Sequence, residues 1–491
     1  MVLCRAVEPK VHLRRNVPGE TMTRGPGDPA RAAEAESVER SVGARITPST
    51  EFLARVERVR NELVERVRHV AAARGSPLVR VLVAGSAARG TFLQDRLDID
   101  LFLLFPPDLG RERLREEGLA LGRAILSEPE TRYAEHPYLR GRFEGFTVDA
   151  VPGYAVADAS QPLSPVDRTP FHQEFLLARE TPELVGEVRL AKQFLRSLGV
   201  YGSEARTEGC SGYLVELLII RYGSLRKLLS AARDWRIPVR LVEPGAEPPR
   251  LPADVALVLA DPVDPHRNVA SALSRKNLGL LILAAGAYLD RPSERFFRVR
   301  PSSPLSKEAA LAQVARRGTH VTVVVLPRPD LVDDTLYPQV RKAARAVADE
   351  LSRSEFSVLG EASAADASSV TLVVELAHPR RPQVRLQDGP PAGIDRTGQF
   401  LDKWGAAGDT VLQGPYVRPD GSLGVDTHRP ERDAEKVVRS AFPRLSLGKD
   451  LTPQAPTECE VTTLDAAVER PALGEALREL LGKRLPWLDG A

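Results

Sequence analysis

The chain has 491 residues, of which 43% are hydrophobic and 27% charged, a balance typical of globular proteins rather than of disordered ones. This length is too great for a single hydrophobic core and indicates roughly two to four domains. The 68 basic and 66 acidic residues give a formal net charge of +2, so any nucleic-acid surface has to be a local patch.

Hydropathy and cysteine usage exclude further classes of protein. No apolar run approaches the roughly 20 residues that a spanning helix needs, and the N-terminus lacks the apolar core of a signal peptide. The three cysteines (Cys4, Cys210 and Cys459) are scattered and odd in number, which argues against a disulfide framework and against a zinc cluster. These features predict a cytoplasmic protein that has no membrane partner.

The N-terminal region mixes Arg, Glu, Pro and Gly without periodicity, and we predict that residues 1–46 are disordered. A helix is then expected to begin at Thr47-Pro48, since threonine is a common N-cap residue and proline suits the first helical position. The residues of its apolar stripe follow one another at intervals of three and four: Phe52, Val56, Val59, Leu63, Val67 and Val70.

The remaining patterns predict three further regions, so the fold class is α/β and α+β multidomain. Residues 47–165 form an α/β unit, residues 166–295 a helical middle domain, and residues 296–491 a C-terminal α+β body and tail. The expected strands are 80–84, 97–105, 143–151, 255–260, 319–326 and 370–377. The expected helical segments are 111–127, 183–198, 211–230 and 333–354, with a proline-rich stretch at 237–252.

Two acids in the second predicted strand carry the strongest chemical signal. Side chains two apart on a strand point the same way, so Asp98 and Asp100 share a face while Ile99 points to the core. Adjacent carboxylates repel each other, and a shared divalent cation with hard oxygen ligands is the usual remedy. Asp149, inside another apolar strand, supplies a third acid. Three such acids predict a site for two Mg²⁺ ions and in-line phosphoryl displacement.

A glycine-serine turn precedes these acids and supplies a phosphate-binding element. Gly85 lets the backbone approach a phosphate closely, and the hydroxyl of Ser86 together with nearby amides can donate to phosphate oxygens. Arg89 can add a charged hydrogen bond. A lone Gly-Ser or a lone Asp-x-Asp occurs often by chance. Their pairing at a short interval between apolar strands favours nucleotidyl transfer.

Several further segments resemble the archaeal-type (class I) CCA-adding enzymes, which are tRNA nucleotidyltransferases. The similarity is dense over residues 47–300 and weaker to about residue 430. The segments are YAEHPY at 133–138, VDRTPFH at 166–172, EVRL at 187–190, GVYG at 199–202, CSGYL at 210–214, DPVD at 261–264 and RNVA at 267–270.

The resemblance implies a fold, an activity and roles for individual residues. The α/β unit would be a polymerase-beta-like palm, and Mg²⁺ the cofactor on Asp98, Asp100 and Asp149. The activity would be template-independent addition of C, C and A to immature or damaged tRNA, using CTP and ATP and releasing pyrophosphate. A homodimer is left open. The residues that would bind the nucleotide are Ser86, Arg89, His172, Lys192, Tyr201 and Arg267.

Each of these residues also has a plain structural interpretation. Lys192 interrupts an apolar helix stripe, where a lysine usually extends to solvent. His172 could be a core histidine, Tyr201 a cap at a helix end, and Arg267 a solvated arginine. Two other activities are alternatives: a poly(A)-polymerase-like enzyme, and an idle RNA-binding relative. The three intact acids argue against the idle relative, because it would have no reason to keep repulsive carboxylates together.

The C-terminal region is expected to bind the tRNA, since the acids of the palm repel RNA phosphates. The basic stretch 378–385, with Arg380, Arg381 and Arg385, is one candidate surface. The segment 400–416, with Trp404 and Tyr416, is the other, because aromatic faces can stack on exposed bases. The alternative is that the aromatic residues are core and the arginines a solvated loop.

Overall fold

The computed structural model describes residues 29–95, 97–133, 137–242, 254–301, 303–452 and 459–488. Helix α1 (Pro29–Ile46) lies within the region predicted to be disordered, so that prediction is wrong for residues 29–46. Ala35 and Val42 are buried against the middle domain. Alanines and single valines give little apolar periodicity, which is why the helix left no signal in the sequence. Residues 1–28 lie outside the described residues.

The first domain is built on a five-stranded sheet with strand order β1-β2-β5-β4-β3. Strands β2 and β5 run parallel, whereas the other neighbouring pairs are antiparallel. The three strands predicted here are confirmed as β1, β2 and β5, while the polar strands β3 and β4 were not predicted. The strands are β1 (Arg80–Ala84), β2 (Asp98–Phe105), β3 (Ser127–Tyr133), β4 (Pro137–Phe143) and β5 (Phe146–Tyr154).

Helices α2 (Thr50–Arg74) and α4 (Arg111–Ile125) cover one face of this sheet. The predicted stripe of α2 forms the contact, with Val56, Val59, Leu63 and Val67 buried. The N-cap is Ser49, whose hydroxyl accepts from the backbone N of Phe52 at 3.1 Å, rather than the predicted Thr47. A short helix, α3 (Gly85–Arg89), follows β1 directly and is the predicted glycine-serine turn.

The middle domain is mainly helical and surrounds one large apolar cluster. The predicted single segment 211–230 is two helices, because Gly223 adopts a left-handed conformation (φ 82°) and ends the first one. The proline-rich stretch continues from residue 243 to 252 outside the described residues. The helices are α5 (Thr169–Leu177), α6 (Pro182–Ser197), α7 (Gly212–Tyr222), α8 (Leu225–Ala232) and α9 (Arg275–Asp290).

Two small two-stranded sheets complete this domain. Strands β6 (Val239–Arg240) and β7 (Leu257–Val258) pair in parallel, and β8 (Ala260–Asp261) pairs antiparallel with β9 (Asp264–Asn268). The second pair carries the DPVD and RNVA segments, so these motifs lie on a tight turn and on the strand that follows it.

Of the 133–138 segment, residues 134–136 lie outside the described residues.

The C-terminal region contains two further sheets, as the α+β prediction requires. The larger has strand order β11-β12-β10-β16 and the smaller β13-β15-β14. The strands are β10 (His320–Pro327), β11 (Val358–Ala365), β12 (Ser369–Leu376), β13 (Val384–Pro391), β14 (Val411–Val417), β15 (Ser422–His428) and β16 (Glu460–Thr463). The helices are α10 (Lys307–Arg317), α11 (Asp333–Arg353), α12 (Arg396–Gly405), α13 (Ala434–Ala441) and α14 (Pro471–Leu481).

The end of the described chain returns to the middle domain. The ring of Trp487 stacks on Phe296 with ring centroids 5.6 Å apart, and it belongs to the apolar cluster of the middle domain. Helix α11 packs its predicted apolar face, including Leu336, Val340 and Val347, into the cluster beneath the larger sheet. None of the helices in the described ranges combines the length and apolarity that crossing a membrane requires.

Candidate active site

The three predicted acids lie on adjacent strands of the first sheet. Parallel pairing of β2 with β5 sets Asp100 opposite Asp149, and antiparallel pairing of β1 with β2 sets Ala84 opposite Asp100. Asp98 lies two residues before Asp100 and therefore on the same face. The alternation that buries Ile99 and Leu101 in the core thus directs the carboxylates of Asp98 and Asp100 to the side where α3 begins.

The position of Asp100 is unfavourable for a negative charge. Burial raises the pKa of its carboxyl group to about 7, and the neighbouring charges of Asp149 and Asp98 act in the same direction. Arg89 and Arg140 act in the opposite direction but do not outweigh these effects. Because a cation would stabilise the ionised form, the surroundings of Asp100 favour the binding of one.

Arg140 on β4 is a member of the site that the sequence did not reveal. Its Nε and Nη2 donate to the two carboxylate oxygens of Asp149, each at 2.7 Å, and Nη2 lies 3.4 Å from Oδ2 of Asp98. The hydrogen bond to Asp149 is the largest cause of a raised pKa for Arg140. Only the strand register, which sets Arg140 opposite Asp149, identifies this contact.

The chemistry of the site fits a divalent cation, although its three carboxylates are not arranged around one common point. Among the described residues no three acids, histidines or cysteines group as a metal site, and Arg140 bridges two of the three acids. A Cβ atom at Gly85 would lie 2.1 Å from Oδ2 of Asp100, so only glycine leaves room for that carboxylate. Carboxylate oxygens are the ligands that Mg²⁺ and similar hard cations prefer.

The glycine-serine turn lies directly beside the acids. Gly85 adopts a left-handed conformation (φ 71°) and contacts Asp100, and Ser86 is the next residue. The carbonyl of Ser86 accepts from the backbone N of Thr91 at 3.2 Å, which closes the turn at its far end. The structure therefore brings Ser86 next to the carboxylates, as the sequence predicts.

Arg89 and Lys192 lie behind the turn rather than on its open side. The Arg89 side chain is 7% exposed, and its Nη2 lies 2.5 Å from Oε2 of Glu216. Lys192 is 1% exposed, and its Nζ donates to Glu216 Oε1 at 3.0 Å and to the carbonyl and hydroxyl of Thr91 at 3.0 and 3.1 Å. Both cations are enclosed and hydrogen-bonded, which does not fit the prediction that they contact phosphates directly.

Glu216 on α7 joins these two cations and was also missed by sequence reasoning. Burial by itself would raise the pKa of Glu216, but the charges of Lys192 and Arg89 outweigh it and the pKa is lowered. Glu216 also accepts from the hydroxyl of Thr91 at 2.6 Å. Its position inside the apolar run of α7 is the one signal in the sequence, since an acid there needs a buried partner. We call Arg89, Thr91, Lys192 and Glu216 the buried ion cluster.

A second acid, Glu180, borders the buried ion cluster. Its Oε1 lies 3.5 Å from Nε of Arg89, and its side chain is 6% exposed. Burial, followed by repulsion from Glu216, raises the pKa of Glu180 to about 7. The two cations, Arg89 and Lys192, therefore face the ionised carboxylate of Glu216 and the carboxyl group of Glu180, which is half protonated near neutral pH. The cluster keeps a positive charge.

His172 and Arg267 meet at one buried carboxylate of the middle domain, that of Asp261. Asp261 accepts from Nη1 of Arg267 at 2.8 Å and from the hydroxyl of Tyr213 at 3.0 Å, and it lies 2.8 Å from Nε2 of His172. The rings of His172 and Tyr213 are stacked at a tilt, with centroids 4.1 Å apart. Burial would raise the pKa of Asp261, but the hydrogen bond and charge of His172 lower it.

Tyr201, the remaining predicted residue, lies with Lys192 rather than with His172. A Cβ atom at Gly212 would be 3.4 Å from the hydroxyl oxygen of Tyr201 and 3.9 Å from Nζ of Lys192. The backbone of Tyr201 forms an isolated bridge with Cys210, which fixes the loop after α6. The predicted nucleotide residues are thus divided between two neighbourhoods, one around Glu216 and one around Asp261.

The arginines of the predicted RNA surface in the C-terminal region are exposed or half-buried, but each is bonded to another part of the domain. Arg380 pairs with Asp433, Arg385 donates to Glu355 at 3.0 Å, and Arg381 donates to the carbonyl of Glu431 at 2.7 Å. These arginines connect β13 to the body of the domain, so the stretch 378–385 does not present free cations.

The two predicted aromatic residues are neither core nor fully exposed. Trp404 on α12 is half-buried, with the ammonium of Lys403 4.5 Å from its ring centroid. No residue of α12 is buried. The hydroxyl of Tyr416 donates to Asp426 at 3.0 Å. The interpretation of both side chains as core is wrong, and base stacking by them stays a prediction.

Three family models match consecutive parts of the chain. A nucleotidyltransferase domain matches residues 59–172, the second domain of tRNA nucleotidyltransferases matches residues 186–298, and the C-terminal domain of CCA-adding enzymes matches residues 317–463. The first match contains the acids and the glycine-serine turn. The second contains Lys192, Glu216 and Asp261.

Several full-length relatives are CCA-adding enzymes of archaea. The enzyme of Halobacterium salinarum is 38% identical over 438 residues, which are 89% of this chain and 96% of that protein. The enzyme of Halorubrum lacusprofundi is 37% identical over 464 residues, or 91% of this chain and 98% of that protein. The enzyme of Methanocaldococcus jannaschii is 34% identical over 75% of this chain and 84% of that protein.

A solved structure of the Cid1 poly(U) polymerase with Mg 3′-dATP bound is a more distant match. It is 13% identical, has a TM-score of 0.42, and covers 54% of this chain and 98% of that chain.

Proposed function

The chain belongs to the CCA-adding enzymes, and from its site geometry we propose how it carries out the reaction of that family. It is a tRNA nucleotidyltransferase that adds C, C and A to the 3′ end of tRNA. CTP and ATP supply the nucleotides, and each addition releases pyrophosphate. Enzymes with this nucleotidyltransferase domain use divalent metals; Mg²⁺ as the ion, and the residues that hold it, are part of the proposal.

One observation carries the proposal: three carboxylates lie on adjacent strands beside Gly85, where the Cβ atom of any other residue would collide with Asp100. Asp98, Asp100 and Asp149 would hold Mg²⁺ on this face of the sheet. When bound, Mg²⁺ would lower the pKa of the attacking 3′-hydroxyl and neutralise charge on the departing pyrophosphate. Arg140 bonds Asp149 and balances part of the charge of the acids.

The glycine-serine turn receives the triphosphate. Ser86 donates its hydroxyl to a phosphate oxygen, and Gly85 allows the close approach. Arg89 and Lys192 act from behind the turn rather than by direct contact: they fix Thr91 and Glu216, and they place positive charge beneath the phosphates. Their role is to position the turn and to provide this field.

The neighbourhood of Asp261 receives the base and the end of the RNA. Asp261 holds the guanidinium of Arg267 and the imidazole of His172 in fixed orientations, and ring stacking with Tyr213 limits the rotation of His172. Fixed donors discriminate between bases better than mobile ones, because less conformational entropy is lost on binding. The hydroxyl of Tyr201 lies near Gly212, which also adjoins Lys192.

Sequencing of reaction products tests the proposal. Transfer RNA that lacks its last three nucleotides is incubated with enzyme, CTP, ATP and Mg²⁺, and its new 3′ end is sequenced; transfer RNA that already ends in CCA is the control. We expect products that end in CCA and no extension of the control. A run of A residues would indicate a poly(A)-polymerase-like activity, and the absence of any incorporation would indicate an idle relative.

A further inference from the structure

Side chains of the middle domain reach the glycine-serine turn from both of its ends. Gln173 on α5 donates through Nε2 to the carbonyl of Val83 at 3.1 Å, near the end of β1 and just before the turn. Arg189 on α6 donates through Nε to the carbonyl of Gly90 at 3.0 Å, directly after the turn, and its Nη2 donates to the same oxygen. The partners are 90 and 99 residues apart in the sequence, so these bonds connect two domains.

Both donors are buried, and both bond the backbone rather than a side chain. Gln173 and Arg189 are each 7% exposed. Breaking a hydrogen bond in such surroundings leaves a polar group without a partner, so these bonds hold the backbone firmly. Lys192 adds a bond of the same kind, from Nζ to the carbonyl of Thr91 at 3.0 Å. Three carbonyls that flank the turn thus accept from three side chains of the middle domain.

Arg189 is connected to Ser86 through a single peptide group. The carbonyl of Gly90 and the N–H of Thr91 belong to the same planar unit. Its oxygen accepts from Arg189, and its N–H donates to the carbonyl of Ser86 at 3.2 Å. A displacement of the guanidinium therefore displaces Ser86, which carries the hydroxyl proposed to bind the triphosphate.

Gln173 fixes the other end of the turn in a similar way. Strand β1 lies at one end of the strand order of its sheet, so this donor comes from outside the sheet. The carbonyl of Val83 belongs to the planar peptide group that includes the N–H of Ala84. Gly85 follows, in a left-handed conformation (φ 71°) and without a side chain that could anchor it. A fixed peptide group before this glycine narrows the conformations that the turn can adopt.

The charge of Arg189 is not balanced as those of Arg89 and Lys192 are. The latter two share the carboxylate of Glu216, whereas none of the acids in the described ranges forms an ion pair with Arg189. Burial lowers the pKa of Arg189, and no neighbouring acid raises it. A buried cation without counter-charge costs stability, and an anion on the open side of the turn reduces that cost.

We propose that Gln173 and Arg189 are positioning residues for nucleotide binding, which fix the glycine-serine turn from the middle domain. This inference rests on the function proposed above, in which Ser86 receives the triphosphate. It adds that the first domain alone does not set the binding conformation of the turn. Because CTP and ATP carry the same triphosphate, the two nucleotides depend equally on both positioning residues.

Nucleotide titrations of the full-length protein test this role. Arg189→Met and Gln173→Met replace the two donors by unbranched apolar side chains. The controls are Arg196→Met and Glu174→Gln on the same two helices: Arg196 bonds the carboxylate of Asp95 at 2.8 Å, and Glu174 is largely exposed. The Kd values for CTP and ATP are measured calorimetrically with Mg²⁺ and without tRNA. The KM values for CTP, ATP and tRNA are measured by nucleotide incorporation.

For Arg189→Met we expect the Kd values for CTP and ATP to rise by the same factor, roughly tenfold or more, because a displaced binding element loses much of its contribution. Gln173→Met should change both Kd values in the same direction, by roughly threefold or more. The KM values for CTP and ATP should rise in parallel, whereas the KM for tRNA should stay at the wild-type value. Arg189→Lys keeps a donor for the carbonyl of Gly90 and should recover most of the affinity.

The two controls should bind both nucleotides as wild type does. Unchanged nucleotide affinity in Arg189→Met and Gln173→Met would overturn the proposal. A KM for tRNA that rises as much as the KM for CTP would also overturn it, because a general loss of structure affects both substrates.

Thermal unfolding and one further variant keep the outcome interpretable. If Arg189→Met is unfolded at the assay temperature, Gln173→Met decides: weaker binding of both nucleotides at an unchanged KM for tRNA supports the proposal, and wild-type affinity contradicts it. Ser86→Ala tests the proposed function itself. If Ser86→Ala binds both nucleotides as tightly as wild type, the turn does not receive the triphosphate. If Ser86→Ala alone loses affinity, the turn is the phosphate site but Gln173 and Arg189 do not position it.

Discussion

The carboxylate site and the buried ion cluster lie on opposite sides of the same short turn, and both bring like charges together. In the first, Arg140 bonds Asp98 and Asp149 but not Asp100, and the pKa of Asp100 is raised to about 7 by burial and by the other two acids. In the second, Lys192 and Arg89 share the fully buried Glu216, whose pKa they lower. The carboxylate site has too little positive charge for its three acids, whereas the buried ion cluster contains a carboxylate that pairs with its cations.

This difference separates residues that bind a ligand from residues that hold the fold. An incompletely balanced set of charges near the surface is stabilised when a ligand of opposite sign arrives. A buried set in which the cations are bonded to a carboxylate of their own has no such need, and removing that carboxylate leaves uncompensated buried charges. The two regions should therefore respond to mutation in opposite ways.

The largest expected effect is on catalysis at the carboxylate site. Asp100→Asn removes one charge and keeps the shape, so nucleotide addition should fall at least roughly 1000-fold, about 4 kcal/mol of activation free energy. The temperature of unfolding should be equal to or above that of wild type, because a repulsive charge is lost. Single-turnover CMP incorporation and thermal unfolding measure the two quantities.

Asp108→Asn, a change at an exposed acid of the same domain, is the control and should alter neither quantity. If Asp100→Asn keeps near-wild-type activity, Asp100 does not hold the cation that nucleotide addition requires.

These two regions also show how far the sequence could predict the structure. Asp98, Asp100 and Asp149 were predicted because strand alternation is local and two of them are two residues apart. The buried surroundings of Lys192 were not predicted because its partners Thr91 and Glu216 come from segments 101 and 24 residues away. The pattern of neighbouring residues in the sequence does not indicate contacts between segments that are so far apart.

The same reasoning explains the other successes and failures in the fold. The strongly periodic helix α2 was predicted to within three residues at its start, since its valines and leucines recur at helical spacing. Helix α1 was missed because its buried positions are one alanine and one valine. Arg140 was missed because β4 alternates without a clear apolar face, so its register against β5 is set by tertiary packing.

The second effect is on stability, at the buried ion cluster. Glu216→Gln leaves the ammonium of Lys192 and the guanidinium of Arg89 without their shared counter-charge. The free energy of unfolding should fall by about 3 kcal/mol, the range found when one partner of a buried pair is removed. Denaturant unfolding measures this loss. A matched change at the exposed Glu62, Glu62→Gln, should have no measurable effect.

A stable Glu216→Gln protein would mean that the cations are not held as the structure shows. They would then be free to reach the triphosphate directly, as the sequence first predicted.

The smallest effect is a pH dependence at Glu180. Its pKa is raised in the folded protein to about 7, from the 4.5 that is ordinary for a glutamate. Because the folded pKa is raised, the contribution of Glu180 to stability is fully present below the unfolded pKa and is lost as pH rises through the folded value. Glu180→Gln mimics the protonated acid, so at pH 8 the variant should be more stable than wild type by about 2 kcal/mol.

Near pH 4.5 the two proteins should be equally stable, which serves as an internal control for Glu180→Gln. Unfolding curves at both pH values supply the data. A variant that is less stable than wild type at pH 8 would show that ionised Glu180 is a net stabilising partner of Arg89.

The most direct test of the central claim is cation binding at the carboxylate site, measured without turnover. Mn²⁺ is a hard divalent ion that replaces Mg²⁺ on oxygen ligands and gives an electron paramagnetic resonance signal when free. Titration of wild type, Asp100→Asn and Asp108→Asn in the presence of CTP gives three dissociation constants. We expect tight binding to wild type and Asp108→Asn, and a Kd more than about tenfold higher for Asp100→Asn. Equal Mn²⁺ affinity in all three proteins would contradict it.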